Sequence, residues 1–302
     1  ITAAPLTITA DSDTKVYGAI DPALTYTITG FVNSDAESDL DTGVTISRVA
    51  GETVADYIIT PSEAVDSNYV ITFVPSTFEI TQANLTVTAT SGLSKVYGEI
   101  DPTLTYSITG FVNSDAEASL DTGVTISRVA GETVADYIIT PSEAADSNYA
   151  VSFVPSTFTI TPATLTVTGL VVDNKEYDGT TEATTSGTPV LSGVISNDNM
   201  VLDASPVFTF ESPGVGTNIT ITNAGFTIAG TNNVNYTLTQ PILSADITQR
   251  AITLTASSQE KNYGNMLVLD DTAFTVTDLD NDAVLPNGEM IDSVTMVSET
   301  GI

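Results

Sequence analysis

Laid against itself at a shift of 80 residues, the chain repeats: Lys15 to Thr81 matches Lys95 to Thr161 with ten differences in 67 positions. Two stretches this alike fold alike, so the 302 residues form a tandem array of small cores rather than one large one. A diverged third copy runs from Leu165-Thr-Val-Thr through Lys175-Glu-Tyr-Asp-Gly179 to Ala245-Asp-Ile-Thr248, and a fourth opens at Ile252-Thr-Leu-Thr and reaches Lys261-Asn-Tyr-Gly264. The expected boundaries are 1–5 for the end of a preceding module, then 6–84, 85–164, 165–250 and 251–302, the last short of its closing strands. On this reading the array continues in both directions.

Within the first repeat, apolar residues alternate: Leu6, Ile8, Ala10; Leu24, Tyr26, Ile28; Val44, Ile46; Tyr57, Ile59; Tyr69, Ile71, Phe73; Phe78, Ile80. That is the period of half-buried strands, and turn chemistry such as Asp21-Pro22, Asp41-Thr-Gly43 and Ala50-Gly51 separates the runs. The fold class is therefore all-β, six or seven short strands per module. Ser34 to Leu40 carries capping residues and predicts one or two helical turns. Two packings fit: a small immunoglobulin-like β-sandwich, preferred here, and a β-grasp-like sheet crossed by the short helix. Only four residues separate Ile80 from Leu85, and Pro162 stiffens the next junction, so consecutive modules are expected to stack into a rod.

Asp and Glu number 38 against 7 Lys and Arg, a formal net charge of -31. Seven cations make no basic surface, which excludes nucleic acid as a partner and disfavours anionic membranes. No stretch is apolar for long enough to span a bilayer, so no membrane insertion is expected. The absence of Cys and His removes thiolate nucleophiles, imidazole bases and the common transition-metal ligands. Carboxylate pairs are so abundant that accidental ones are expected, and no Trp offers a platform for sugar rings, so no catalytic residue is assigned and the chain reads as a non-enzyme.

The recurring Lys-x-Tyr-Gly at Lys15 to Gly18, Lys95 to Gly98 and Lys261 to Gly264, each with a later Gly-Phe-Val-Asn-Ser-Asp or Leu-Pro-Asn-Gly-Glu segment, resembles the bacterial MBG domain of the YGX type. Lys175-Glu-Tyr-Asp-Gly-Thr-Thr-Glu-Ala183 resembles the related YDG domain. The fourth copy departs from the pattern where Asp278-Leu-Asp-Asn-Asp282 precedes Asn287. The resemblance implies a stalk or passenger repeat of large secreted or surface-attached bacterial proteins, many of them adhesin-like. It implies an extracellular or cell-surface location, and neither a reaction nor a cofactor.

All four lysines, Lys15, Lys95, Lys175 and Lys261, occupy one repeat position, with Tyr17, Tyr97, Tyr177 or Tyr263 two residues on and on the same strand face. The plain reading is a lysine whose stem covers the ring and whose ammonium pairs with a carboxylate. The sharper one is a Lys to Asn crosslink with Asn68, Asn148 or Asn235 as acceptor. Asp278, Asp280 and Asp282, with Asn281 and nearby Asp270 and Asp271, alternate as calcium ligands do, although the glycine and closing glutamate of an EF-hand loop are missing. Calcium is thus the one cofactor candidate, against a solvated acidic loop. The sequons at Asn84, Asn218 and Asn235 are read as idle, and Tyr69, Tyr149, Phe31 and Phe111 as core or corner residues.

Two functional readings follow. One is a structural spacer, a stalk or fibre-forming region whose partners are neighbouring modules and copies of itself. The other is an array that itself binds polysaccharide or host glycoprotein, with cell-surface or matrix glycans as partners. Differences between copies that spare cores and turns favour the spacer.

Overall fold

The computed structural model describes residues 1–203, 206–278 and 285–297. Its backbone falls into two units, Ile1–Thr161 and Pro162–Ile302. In the first unit, the opening module has seven strands: β1 (Ala4–Ala10), β2 (Asp13–Val16), β3 (Tyr26–Thr29), β4 (Thr45–Arg48), β5 (Ala55–Ser62), β6 (Tyr69–Val74) and β7 (Ser76–Thr81). They form a three-stranded sheet, β3-β1-β6, and a four-stranded one, β2-β7-β5-β4. β1 lies antiparallel to β3 but parallel to β6, and β2 lies parallel to β7.

The alternation explains which face turns inward. On β1, Leu6, Ile8 and Ala10 are buried while Thr7 and Thr9 alternate between them. Ile59 of β5 and Phe78 and Ile80 of β7 join Ala10 from the other sheet in a small core with Tyr17, Leu24, Ile46, Val54 and Tyr57 at its margin. Two sheets closing on a shared apolar layer make a β-sandwich.

The same pattern recurs as β8 (Ala83–Ala89), β9 (Leu93–Val96), β10 (Tyr106–Thr109), β11 (Thr125–Arg128), β12 (Ala135–Ser142), β13 (Tyr149–Val154) and β14 (Ser156–Thr161). Sheet orders β10-β8-β13 and β11-β12-β14-β9 repeat those of the first module, around Ala89, Ile139, Phe158 and Ile160. Only Gln82 separates β7 from β8.

The second unit opens with β15 (Ala163–Val172), β16 (Lys175–Glu176), β17 (Thr185–Ser192), β18 (Met200–Leu202), β19 (Phe208–Phe210), β20 (Gly216–Asn223), β21 (Ile228–Gly230), β22 (Tyr236–Thr239) and β23 (Leu243–Thr248). Its sheets are β17-β15-β22 and β16-β23-β20-β19, with a separate β18-β21 pair. Parallel pairing again joins β15 to β22 and β16 to β23. Beyond it, β24 (Ile252–Ala256) and β25 (Phe274–Asp278) pair antiparallel, Ala256 opposite Phe274 as Ala10 is opposite Tyr26.

The helix that would have crossed a β-grasp sheet does not form. Ser34 to Leu40 yields one 3₁₀ turn, Glu37–Asp39, with no buried residue. Asn33 and Ser34 both take positive φ (54° and 71°), which turns the chain before a helix can start. Glu37–Asp39 then has no apolar side to hold against a sheet, so the sandwich is the fold.

Phe78 and Phe158 are fully buried in cores of few residues. Phe158→Ala is expected to cost about 3–5 kcal/mol. In calorimetry of the whole chain, this should lower the transition belonging to its own module.

Candidate functional site at the module joint

β2 delivers Lys15 into the interior: the residue is 6% exposed, as is Lys95 of β9. Its ammonium meets Asp21 at 2.6 Å and also Glu52, and Arg48 of β4 binds the same two carboxylates through Nε to Asp21 (2.5 Å) and Nη2 to Glu52 (2.7 Å). Two cations and two anions thus close a neutral ring. Arg48 Nη1 further donates to the carbonyls of Val49 and Gly51, and its guanidinium lies 4.9 Å from the Phe78 ring centre. Lys95, Asp101, Arg128 and Glu132 reproduce the ring in the second module. Burial works against the charge on Lys15, but Asp21 and Glu52 overcome it and hold its pKa above the ordinary lysine value. Hydrogen bonds from Arg48, and then Lys15, hold Asp21 down at about 2.

Immediately after β2 the chain reverses. Tyr17 N donates to Thr81 O at the end of β7, and Ala19 N to Val16 O, with Gly18 at φ 81°. A turn with positive φ at its third residue favours glycine, which explains the Tyr-Gly pair. This corner stands beside the exit of the module and enters the next one. Tyr17 meets the Tyr149 ring edge-on at 5.4 Å, and its hydroxyl donates to Asp115 (3.1 Å). Gly18 lies so close that an added methyl would come within 2.5 Å of Val112 Cγ2. Val54 N donates to Asn148 Oδ1 (3.0 Å), and Gln82 Nε2 to Ser147 O (3.2 Å). The receiving cup is built by the second module itself: Tyr149 donates to Asp115 (2.7 Å) and accepts from Val112 N (3.0 Å). Burial first, and then Asp115, push the Tyr149 phenol up to about 12, with the Val112 amide opposing.

Comparison with family models matches residues 6–79 and 85–159 to the MBG domain (YGX type) and residues 161–243 to the YDG domain. The chain is a tandem of MBG and YDG domains. Curated proteins give no match.

The YDG domain keeps the elements with altered partners. Lys175 binds Asp178 (2.8 Å) and the carbonyls of Thr180 and Glu182, and lies 5.5 Å from the Phe210 ring centre. Tyr236 accepts from Ile195 N and donates to Asp198, as Tyr149 does with Val112 and Asp115. Towards the segment that follows, Tyr177 donates to Glu289 (2.6 Å) and Asn287 Nδ2 to Gly179 O (2.8 Å).

The residues singled out in the sequence are therefore sorted. Lysines of the first three modules find carboxylates, joined in the YDG domain by carbonyls, and the structure does not bring Lys15 to Asn68, Lys95 to Asn148 or Lys175 to Asn235. Asn148 instead receives the Val54 amide of the MBG domain before it. Asn235 is buried, and Lys261 lies on exposed chain. Asp278 is buried at the end of β25, where Arg250 binds it at 2.5 Å, so its carboxylate serves an ion pair; Asp280 and Asp282 lie outside the described residues. No cluster of acidic residues suited to a metal occurs among the described residues. Sequence reasoning missed Arg48 and Arg128, although two of the three arginines sit at one repeat position beside a repeated Gly-Glu.

The ring makes MBG stability acid-sensitive in a defined window. The unfolded chain takes up protons on Asp21 and Asp101 near the ordinary value of 3.8, whereas the folded one holds them off until about 2. Their contribution is complete above the first value and disappears as pH falls through the second. Melting temperature should drop across that interval, and Asp21→Asn with Asp101→Asn should flatten the drop. Parallel curves for parent and variant would refute the assignment.

Proposed function

We propose that this chain is a structural spacer: a stalk or fibre-forming repeat region of a large extracellular bacterial surface protein of the adhesin-like kind. In this reading its partners are its own neighbouring modules, and it makes and breaks no bonds in a substrate. The joint carries the reading. The first MBG domain seats its signature Tyr-Gly corner in the module that follows, not in a cleft open to a ligand.

Differences between the two MBG domains point the same way. Nine of the ten, among them Ala19 and Glu99, Asp39 and Ser119, and Val70 and Ala150, fall at exposed positions of the first domain; the tenth, Ile71 against Val151, is partly buried. None touches the ion ring, the fully buried core or the joint residues Tyr17, Gly18, Val54, Val112, Asp115, Asn148 and Tyr149. The unchanged stretch from Asp41 to Asp56 holds Arg48, Gly51, Glu52 and Val54, so its constancy has structural work behind it. No helix among the described residues is long and apolar enough to cross a membrane.

A spacer needs a joint that stays closed. With no native Cys, spin labels at Val70→Cys and Ala150→Cys report the spacing of the two MBG domains in the whole chain. One narrow distance distribution is expected, widening in a Gln82→Ala, Asn148→Ala background that removes two hydrogen bonds of the joint and replaces no residue of either apolar core. A broad distribution in the parent would contradict the spacer.

A further inference from the structure

The strands by which the chain enters and leaves a module are interior strands of their sheets. In the second MBG domain the chain enters on β8, which lies between β10 and β13, and leaves on β14, which lies between β12 and β9. Each is therefore bonded along both edges. Because β8 runs parallel to β13 and β9 parallel to β14, tension applied at Ala83 and Thr161 pulls on opposite ends of paired strands. The ladder bonds cross that direction and are loaded together, in shear, whereas a pull at one end would open them in turn.

Side chains reinforce the exit. Tyr97 N donates to Thr161 O (2.8 Å), and the Thr161 hydroxyl donates to Lys95 O (3.2 Å), so the last residue of β14 holds the Lys-x-Tyr segment twice. Lys95 sits on β9, one edge of the four-stranded sheet, and Asp101 and Glu132 tie it to Arg128 on β11, the other edge. The ion ring thus joins both edges of the sheet that grips the exit strand. The first MBG domain repeats the arrangement, with Tyr17 N on Thr81 O, the Thr81 hydroxyl on Lys15 O and the Arg48 ring.

The YDG domain keeps the plan with less grip. Its β15 and β23 are again interior, and the Thr248 hydroxyl again donates to the lysine carbonyl, Lys175 O (3.3 Å). But β16 lies beside β23 at Lys175 and Glu176 alone, where β9 accompanies β14 from Leu93 to Val96. On the other side of β23, the ladder to β20 slips register between Gly216 and Ile219. The ammonium of Lys175 binds within its own loop, at Asp178, Thr180 and Glu182, instead of reaching an arginine across the sheet through shared carboxylates. Resistance to a pull is set by the barrier to unfolding, which these ladders raise, and not by equilibrium stability.

We infer that the chain is a graded tensile tether, in which the MBG domains hold under load and the YDG domain yields first. The inference rests on the spacer reading for its purpose, and its test separates the two. With no native Cys, a pair of introduced cysteines chooses where the whole chain is held. Gln82→Cys with Pro162→Cys stretches the second MBG domain along its strands. Gln82→Cys with Ser147→Cys holds it at one end, where Gln82 Nε2 donates to Ser147 O and Ala83 N to Asn148 O, so that β8 peels from β13. Pro162→Cys with Gln249→Cys loads the YDG domain alone. In single-molecule stretching at one pulling rate, the lengthwise MBG pair should rupture at severalfold higher force than the peeling pair, and at higher force than the YDG pair. Equal forces in the two MBG directions, or a YDG domain that outlasts the MBG domain, overturn the inference. A narrow Val70 to Ala150 distance beside equal forces would leave the spacer standing without the load; a broad one beside unequal forces would remove the spacer and leave the mechanics.

Discussion

Each of the first three modules is closed by its first and last strands lying side by side in the same direction, in the opening one β1 with β6 in one sheet and β2 with β7 in the other. Everything at the joint depends on that parallel pairing. Because β6 and β7 run the way β1 and β2 run, the chain leaves a module at the end opposite its entry and passes straight into the next. The same pairing brings the turn after β2 beside the end of β7, where Tyr17 N is bound by Thr81 O. An antiparallel closure would have returned the chain to its starting end and left the Tyr-Gly corner without a neighbour. The repeat is propagated by topology before any side chain contributes.

The ion ring solves a second problem created by a small sandwich. A core of Ala10, Ile59, Phe78 and Ile80 is too small to hold the Asp21 and Gly51 loops in place by apolar burial alone. Lys15 and Arg48 reach both loops from the strands, and the loops bring the charges that neutralise them. A buried ion pair is weak as a source of stability, since desolvation offsets attraction, but removing one member strands the others. The ring therefore fixes where the loops lie more than it deepens the fold. Val54, in the loop held by Glu52, offers its amide to Asn148 because of that placement.

Much of this was legible in the sequence, and the limits have physical causes. Alternation of Leu6, Ile8 and Ala10, or of Phe78 and Ile80, identifies strands and inward faces because side chains repeat every second residue. It says nothing about which strand lies beside which, so the β1 and β6 pairing was not readable. The repeated lysine marked the interior site, yet its partners Asp21 and Glu52 are separated from it by 6 and 37 residues and brought close only by the fold. Asn148 stood out for a different reason than the true one: it lines the cup that faces the first module. Asp278 looked like a ligand because aspartates alternate around it, while its actual partner, Arg250, lies 28 residues back. Local spacing encodes local geometry, and charge partners across a sandwich are not local.

Near-identical neighbours invite strands to pair in the wrong module, since Leu85-Thr-Val-Thr-Ala89 is almost Leu6-Thr-Ile-Thr-Ala10. The short junction works against that exchange. β7 carries the chain away from its own module and a single residue, Gln82, precedes β8. For β8 to take the place of β1 beside β6, it would have to reverse within that one residue and abandon the Tyr17 contact with Asp115 and Tyr149. A longer linker would permit the swap, because chain-closure entropy changes only slowly with loop length while reach grows with every residue added. The junction length that seats the corner in its cup is thus also what keeps each copy folded on itself.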